Sequence, residues 1–91
     1  MFGYILKLEN NKWYVGITSD SKKRLKSHFA GCGSSWTRLH KPLEIVSTEQ
    51  IEDAKTWEKL TTLSMMRQKG WLNVRGYAWC QVNLKHPPKD L

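Results

Sequence analysis

The sequence predicts one small α+β domain, and three observations carry that prediction. Two apolar-rich runs, residues 2–8 and 12–17, flank a short polar turn and read as a β-hairpin. A basic run with helical spacing, Lys22-Lys23-Arg24-Leu25-Lys26-Ser27-His28, follows at once. Further on, the β-branched run Leu43-Glu44-Ile45-Val46-Ser47-Thr48 precedes a stretch of about 20 residues, 50–69, that contains neither glycine nor proline. The order is strand, strand, helix, strand, helix, with no internal repeat, linker or low-complexity segment.

Ninety-one residues leave room for one core, expected over residues 1–84 with a loosely ordered tail at 85–91. No apolar run approaches the roughly 20 residues that span a bilayer. Met1-Phe2-Gly3-Tyr4 lacks the basic-then-apolar layout of a secretion signal, so a cytoplasmic or nucleoid location is expected. Cys32 and Cys80 are too few for a disulfide framework and have no zinc-type spacing. Fifteen Lys and Arg against eight Asp and Glu give a net charge of +7, which calls for a polyanionic partner. The cations lie among aromatic residues and form no long basic amphipathic helix, which favours nucleic acid over a membrane surface.

In the hairpin, register decides what meets what. A plain two-residue Asn10-Asn11 turn pairs Glu9 with Lys12, an odd index sum that sends Tyr4 and Tyr14 to opposite faces. Convergence of the two hydroxyls therefore requires a three- or five-residue loop, or a bulge. Thr18-Ser19-Asp20 supplies capping residues for a helix over about 20–30, with Leu25 and Phe29 inward, Lys22, Lys23 and Lys26 outward, and Gly31 at its end. Arg24 and His28 are four apart and stack on one face of it. Gly31 to Ser35 reads as a flexible loop leading to Trp36, Arg38, His40 and Lys41, which suit base stacking and phosphate pairing. Packing of Trp36 into the core is the alternative.

Along residues 50–69, Ile51, Ala54, Trp57, Leu60 and Met65 make an apolar face, and Glu58 falls inside it. An unpaired buried charge costs several kcal/mol, so Glu58 should meet a cation, a metal or a set of donors. Residues 71–76 leave the helix through a turn, and residues 77–82 form a short closing element of unassigned type.

Together these residues resemble the GIY-YIG endonuclease family, in its small stand-alone form. Phe2-Gly3-Tyr4 stands at the first strand motif with its tyrosine kept, and Tyr14-Val15-Gly16 matches the second. Arg24, His28, Glu58 and Asn73 follow in family order, and Gly33 to Pro42 is similar to a connector with a small-residue loop before Thr37 and a later proline. The resemblance implies a three-stranded antiparallel sheet flanked by helices. It also implies metal-dependent hydrolysis of DNA phosphodiesters, with Tyr4, Tyr14, Arg24, His28, Glu58 and Asn73 as catalytic residues.

On that basis Glu58 is the expected ligand of a hard divalent cation, Mg²⁺ or Mn²⁺, since one carboxylate suits an ion that keeps most of its waters. Tyr4 or Tyr14 takes a proton from water, its pKa lowered by nearby positive charge, and which of them does so stays open. Arg24 clamps the phosphate, His28 relays a proton or binds phosphate, and Asn73 positions the glutamate helix or touches the substrate backbone. Lys22, Lys26, Trp36, Arg38, His40, Lys41 and Arg75 are the expected nucleic-acid-binding residues. Single-stranded or branched DNA is slightly favoured, because no added domain reads a duplex groove and Trp13, Trp36, Trp71 and Trp79 could stack on unpaired bases. The alternative is a nucleic-acid-binding module of the same fold without cleavage.

Overall fold

The computed structural model describes residues 1–91, the whole sequence. The N-terminal alternation forms β1 (Phe2–Leu8), which returns as β2 (Lys12–Thr18) in antiparallel register. Between them lies a loop of three residues, Glu9–Asn11, in which Asn10 and Asn11 take left-handed φ of 63° and 57°. Asparagine visits that region more readily than most side chains. Leu8 thereby faces Lys12, Leu6 faces Tyr14 and Tyr4 faces Gly16. The index sum is even, and both tyrosines stand on one face of the sheet.

Helix α1 (Ser21–Phe29) starts where the Asp20 side chain accepts from the Lys23 backbone N–H at 3.1 Å. Its Leu25 packs on a cluster of Tyr4, Leu6, Leu8, Tyr14 and Trp36. Phe29, expected inward, is exposed, and His28 is the residue the helix buries. The loop expected after Gly31 contains a second helix, α2 (Ser35–Leu39), capped by the Ser34 hydroxyl on the Thr37 N–H. Its five residues are too few to show a period among glycines and serines.

Strand β3 (Pro42–Gln50) pairs antiparallel with β1 and shifts register twice, between Ile5 and Leu6 and between Lys7 and Leu8. Helix α3 (Ala54–Lys69) begins later than the sequence implied, because Asp53 caps it through Thr56. Its buried residues are Thr62, Leu63, Met65 and Met66, while Leu60, expected on the inner face, is exposed. At 100° per residue Leu60 lies roughly 140° from the centre of that arc, whereas Glu58 projects between Met65 and Thr62. The carboxylate stays on the inner face although the face itself has turned.

After a 3₁₀ turn at Trp71–Asn73, β4 (Val74–Gly76) pairs parallel to β2, with Tyr14 opposite Arg75. The sheet is four-stranded and mixed, in order β3-β1-β2-β4, where three antiparallel strands were expected. Three residues carry no alternation that a sequence can display. A second core of Val15, Met65, Met66 and Val74, flanked by Trp13, Trp57, Trp71 and Trp79, fills the α3 side. Residues 85–91 lie against α3 and are not a loose tail: Pro88 is buried, Arg67 donates to the Asp90 carbonyl at 3.1 Å, and Asp90 pairs with Lys59 at 3.4 Å. No helix is long and apolar enough to cross a membrane.

Candidate active site

The hairpin register puts the Tyr4 and Tyr14 rings side by side, 6.3 Å between centroids. Opposite Tyr4 sits Gly16, where even a methyl group would overlap the Tyr4 ring and hydroxyl. Close approach of strand to ring at this glycine is therefore specific to Tyr4. Helix α1 lays one turn over the same face. Nε2 of His28 is 2.9 Å from the Tyr4 hydroxyl, and the His28 ring is 5.2 Å from that of Tyr14. Nδ1 of His28 is 3.0 Å from Oγ1 of Thr37 on α2.

The electrostatics differ from expectation at the tyrosines. Burial, then proximity to Tyr14, pushes Tyr4 up to about 12 against the opposing field of Arg24. Tyr14 is raised as well, by burial and then by Cys80. Arg24 does oppose these shifts, as anticipated, but desolvation of the phenolate outweighs it. Burial, then Arg24, pushes His28 down to about 4, so its ring is neutral at pH 7. For Arg24, burial acts to lower the pKa, and the tyrosine oxygens beside it more than reverse that.

Glu58 is half-buried, and burial raises its pKa while the Tyr77 backbone N–H opposes the rise. It lies within electrostatic reach of both tyrosines. No cation pairs with it: the single salt bridge in the molecule is Lys59 with Asp90. A structural ion pair, the plain explanation for a carboxylate in this position, is thus absent. No three His, Cys, Asp or Glu side chains gather at one point, so Glu58 acts as a lone carboxylate. That donor set fits a hard cation that keeps most of its own waters, and it does not fit zinc.

Some expected residues lie elsewhere. Asn73 donates from Nδ2 to the Lys69 carbonyl and accepts from Lys12 Nζ, both at 2.7 Å. Lys69 is eleven residues beyond Glu58 on α3, about 16 Å along the axis. Asn73 therefore ties down the far end of the glutamate helix. Trp36 is 3% exposed, with Nε1 on the Trp13 carbonyl at 3.0 Å and the Arg75 guanidinium stacked 4.2 Å from its ring. Arg75 is 1% exposed and donates to the carbonyls of Trp71, Leu72, Val74, Gln81 and Val82. Each covers the other, and both also line an open groove with Lys12 and His40. His40 is half-buried against Trp36 and Asn10.

Lys22, Lys26, Arg38 and Lys41 are exposed as expected. Arg38 and Lys41 line an open cleft of about 440 Å³ that reaches His28 and Thr37. A second cleft, about 450 Å³, is lined by Thr18, Ser19, Asp20, Lys23, Arg24 and Ser27. Lys23 at its wall carries no signal in sequence beyond its charge. Thr37 does have one, in retrospect: it stands three residues after Ser34, the spacing of a capped first turn.

A tyrosine pair on a hairpin, with arginine and histidine on the next helix and a glutamate on a later one, is the architecture of a small nuclease domain. The GIY-YIG catalytic domain model matches residues 1–63, a span that includes every one of those side chains. The chain belongs to the GIY-YIG family. It is 32% identical over 77 residues to the UPF0213 protein BH0048 of Halalkalibacterium halodurans, covering 80% of this chain and 82% of that one. To the UPF0213 protein YazA of Bacillus subtilis it is 40% identical over 50 residues, covering 55% of this chain and half of YazA. A UPF0213 protein of Xanthomonas campestris pv. campestris is 30% identical over 77 residues, covering 80% of this chain and 76% of its own. These names state no activity. No solved structure gives a significant match to the chain.

Proposed function

We propose that the protein is a metal-dependent DNA endonuclease that hydrolyses phosphodiester bonds, with a slight preference for single-stranded or branched DNA over plain duplex. Membership of a nuclease family supplies the class. The observation that carries the finer reading is Glu58, a half-buried carboxylate with no cation of its own, within electrostatic reach of Tyr4 and Tyr14. Mg²⁺ or Mn²⁺ held by Glu58 would supply positive charge to offset that on the phosphoryl oxygens and to ease deprotonation of water.

The chain's own residues do the rest. Both tyrosines are protonated at neutral pH, so neither is a preformed base, and each orients water; the positive charge of a cation at Glu58, added to that of Arg24, is what would favour a phenolate. Tyr4 is held by His28 and both hydroxyls lie against Arg24, so the tyrosine pair and Arg24 together face the phosphate. Arg24 offers a planar fork to that phosphate. Lys22, Lys26, Arg38 and Lys41 neutralise flanking phosphates on the same side as α1 and α2.

The preference for unpaired strands draws on Trp79 and on Tyr77, half-buried rings 5.4 Å apart that follow β4 beside Glu58. Tyr77 holds φ of 53°, a strained conformation for a side chain of its size and one that clusters at functional sites. Two exposed, unpaired thiols suit the reducing cytoplasm, where we place the protein.

The test is cleavage of end-labelled single-stranded, flapped and duplex DNA with Mg²⁺, Mn²⁺ or chelator. Metal-dependent cutting, strongest on unpaired strands, is expected. Salt-sensitive binding with no cutting on any substrate would move the protein to the binding-module reading.

A further inference from the structure

His28 has two ring nitrogens, and in the neutral ring only one carries a proton. Both of its partners are hydroxyls, Tyr4 at Nε2 (2.9 Å) and Thr37 at Nδ1 (3.0 Å), and a hydroxyl can donate or accept. The tautomer therefore turns on where the single Thr37 proton points. Oγ1 of Thr37 lies 3.1 Å from the Ser34 backbone carbonyl, which can only accept. The Ser34 hydroxyl, 3.3 Å away, accepts from the Thr37 N–H as the cap of α2. When its proton is given to the Ser34 carbonyl, Thr37 receives the hydrogen bond at His28.

We propose that Thr37 is a positioning residue that fixes His28 as the Nδ1–H tautomer, so that Nε2 accepts the Tyr4 O–H and the ring leaves the phenol oxygen's lone pairs to Arg24 and water. Its consequence for catalysis rests on the nuclease reading above, whereas the tautomer itself does not. Thr37 and His28 are 1% and 0% exposed, so bulk water does not compete for either atom. Gly33 completes the arrangement, since a methyl group there would overlap both His28 Nδ1 and Thr37 Oγ1. The chain runs a side-chain-free backbone past the ring and then caps α2 at once, which brings Thr37 up to Nδ1. A fixed tautomer matters because a ring turned to Nε2–H would donate to Tyr4 and occupy a lone pair that water needs.

The experiment combines long-range ¹H–¹⁵N NMR of the His28 ring at pH 7 with single-turnover cleavage of a single-stranded oligonucleotide in Mg²⁺. Native protein, Thr37→Val, Thr37→Ser and Gly33→Ala are compared. The native ring should be protonated at Nδ1. Thr37→Val and Gly33→Ala should lose that pattern and cut about tenfold slower or worse, with DNA affinity unchanged, whereas Thr37→Ser should keep both. A native ring protonated at Nε2, or a Thr37→Val ring that stays Nδ1–H, would overturn the proposal. If the native protein cuts no DNA, the nuclease reading fails, and the NMR comparison alone then decides the role of Thr37. The native spectrum needs no variant, so it reports the tautomer even where Thr37→Val misfolds.

Discussion

At the scale of residues, the site opposes two forces, burial that disfavours charge and Arg24 that favours it on the tyrosines. Burial prevails at Tyr4 and Tyr14, and at His28 burial and Arg24 act together to keep the ring neutral. His28 gives this a measurable sign. Its folded pKa of about 4 lies below the ordinary 6.5, so the stabilisation from its neutral ring is complete above pH 6.5 and is lost as pH falls through 4. The difference amounts to about 3 kcal/mol. Denaturant titrations at pH 7 and pH 4 should show His28→Gln losing correspondingly less stability than native protein on acidification. Equal losses would mean that the ring is not held neutral. Arg24 should depend on shape as well as charge, because lysine cannot present a planar fork. Arg24→Lys should cut on the order of 10²-fold more slowly, measured as kcat at saturating DNA. Near-normal turnover would reduce Arg24 to a general electrostatic role.

Among the elements, the hairpin was the most legible, and the reason is parity. Tyr4 and Tyr14 can share a face only across an odd-length loop or a bulge, and Glu9–Asn11 supplies three residues. The odd-length loop that convergence requires is the one the chain forms. Elements below the period of any pattern stayed hidden: α2 has five residues and β4 three, and each is defined by what it packs against. Their concealment misled the reading of Trp36 and Arg75, since whether a tryptophan or arginine is exposed depends on its cover. Glu58 was legible as an exception on an apolar face even though Leu60 was misplaced, because its arc includes Met65 under either reading. Gly16 tests β2 as a platform. Gly16→Ala should displace the Tyr4 ring, lower stability by about 1–3 kcal/mol and reduce cleavage much more than DNA binding. Unchanged kinetics would show that the ring has room the geometry denies.

Over the whole molecule, two small cores sit on opposite faces of one sheet, the tyrosines in one and α3 against the other. The net charge of +7 gathers a polyanion, but four exposed residues, Lys22, Lys26, Arg38 and Lys41, carry the proposed track. At roughly 0.7 counterions per neutralised phosphate of a single strand, the logarithm of affinity should fall with that of salt concentration with a slope of about −3. A slope near zero in fluorescence anisotropy titrations would point to a partner other than nucleic acid. The most direct measurement is cleavage of labelled single-stranded and flapped DNA by native protein and Glu58→Ala, with and without Mg²⁺, beside DNA binding by both. The account predicts Mg²⁺-dependent cutting by native protein, none detectable by Glu58→Ala, and binding within about twofold of native. Cutting that survives in Glu58→Ala, or that proceeds equally in chelator, would contradict it.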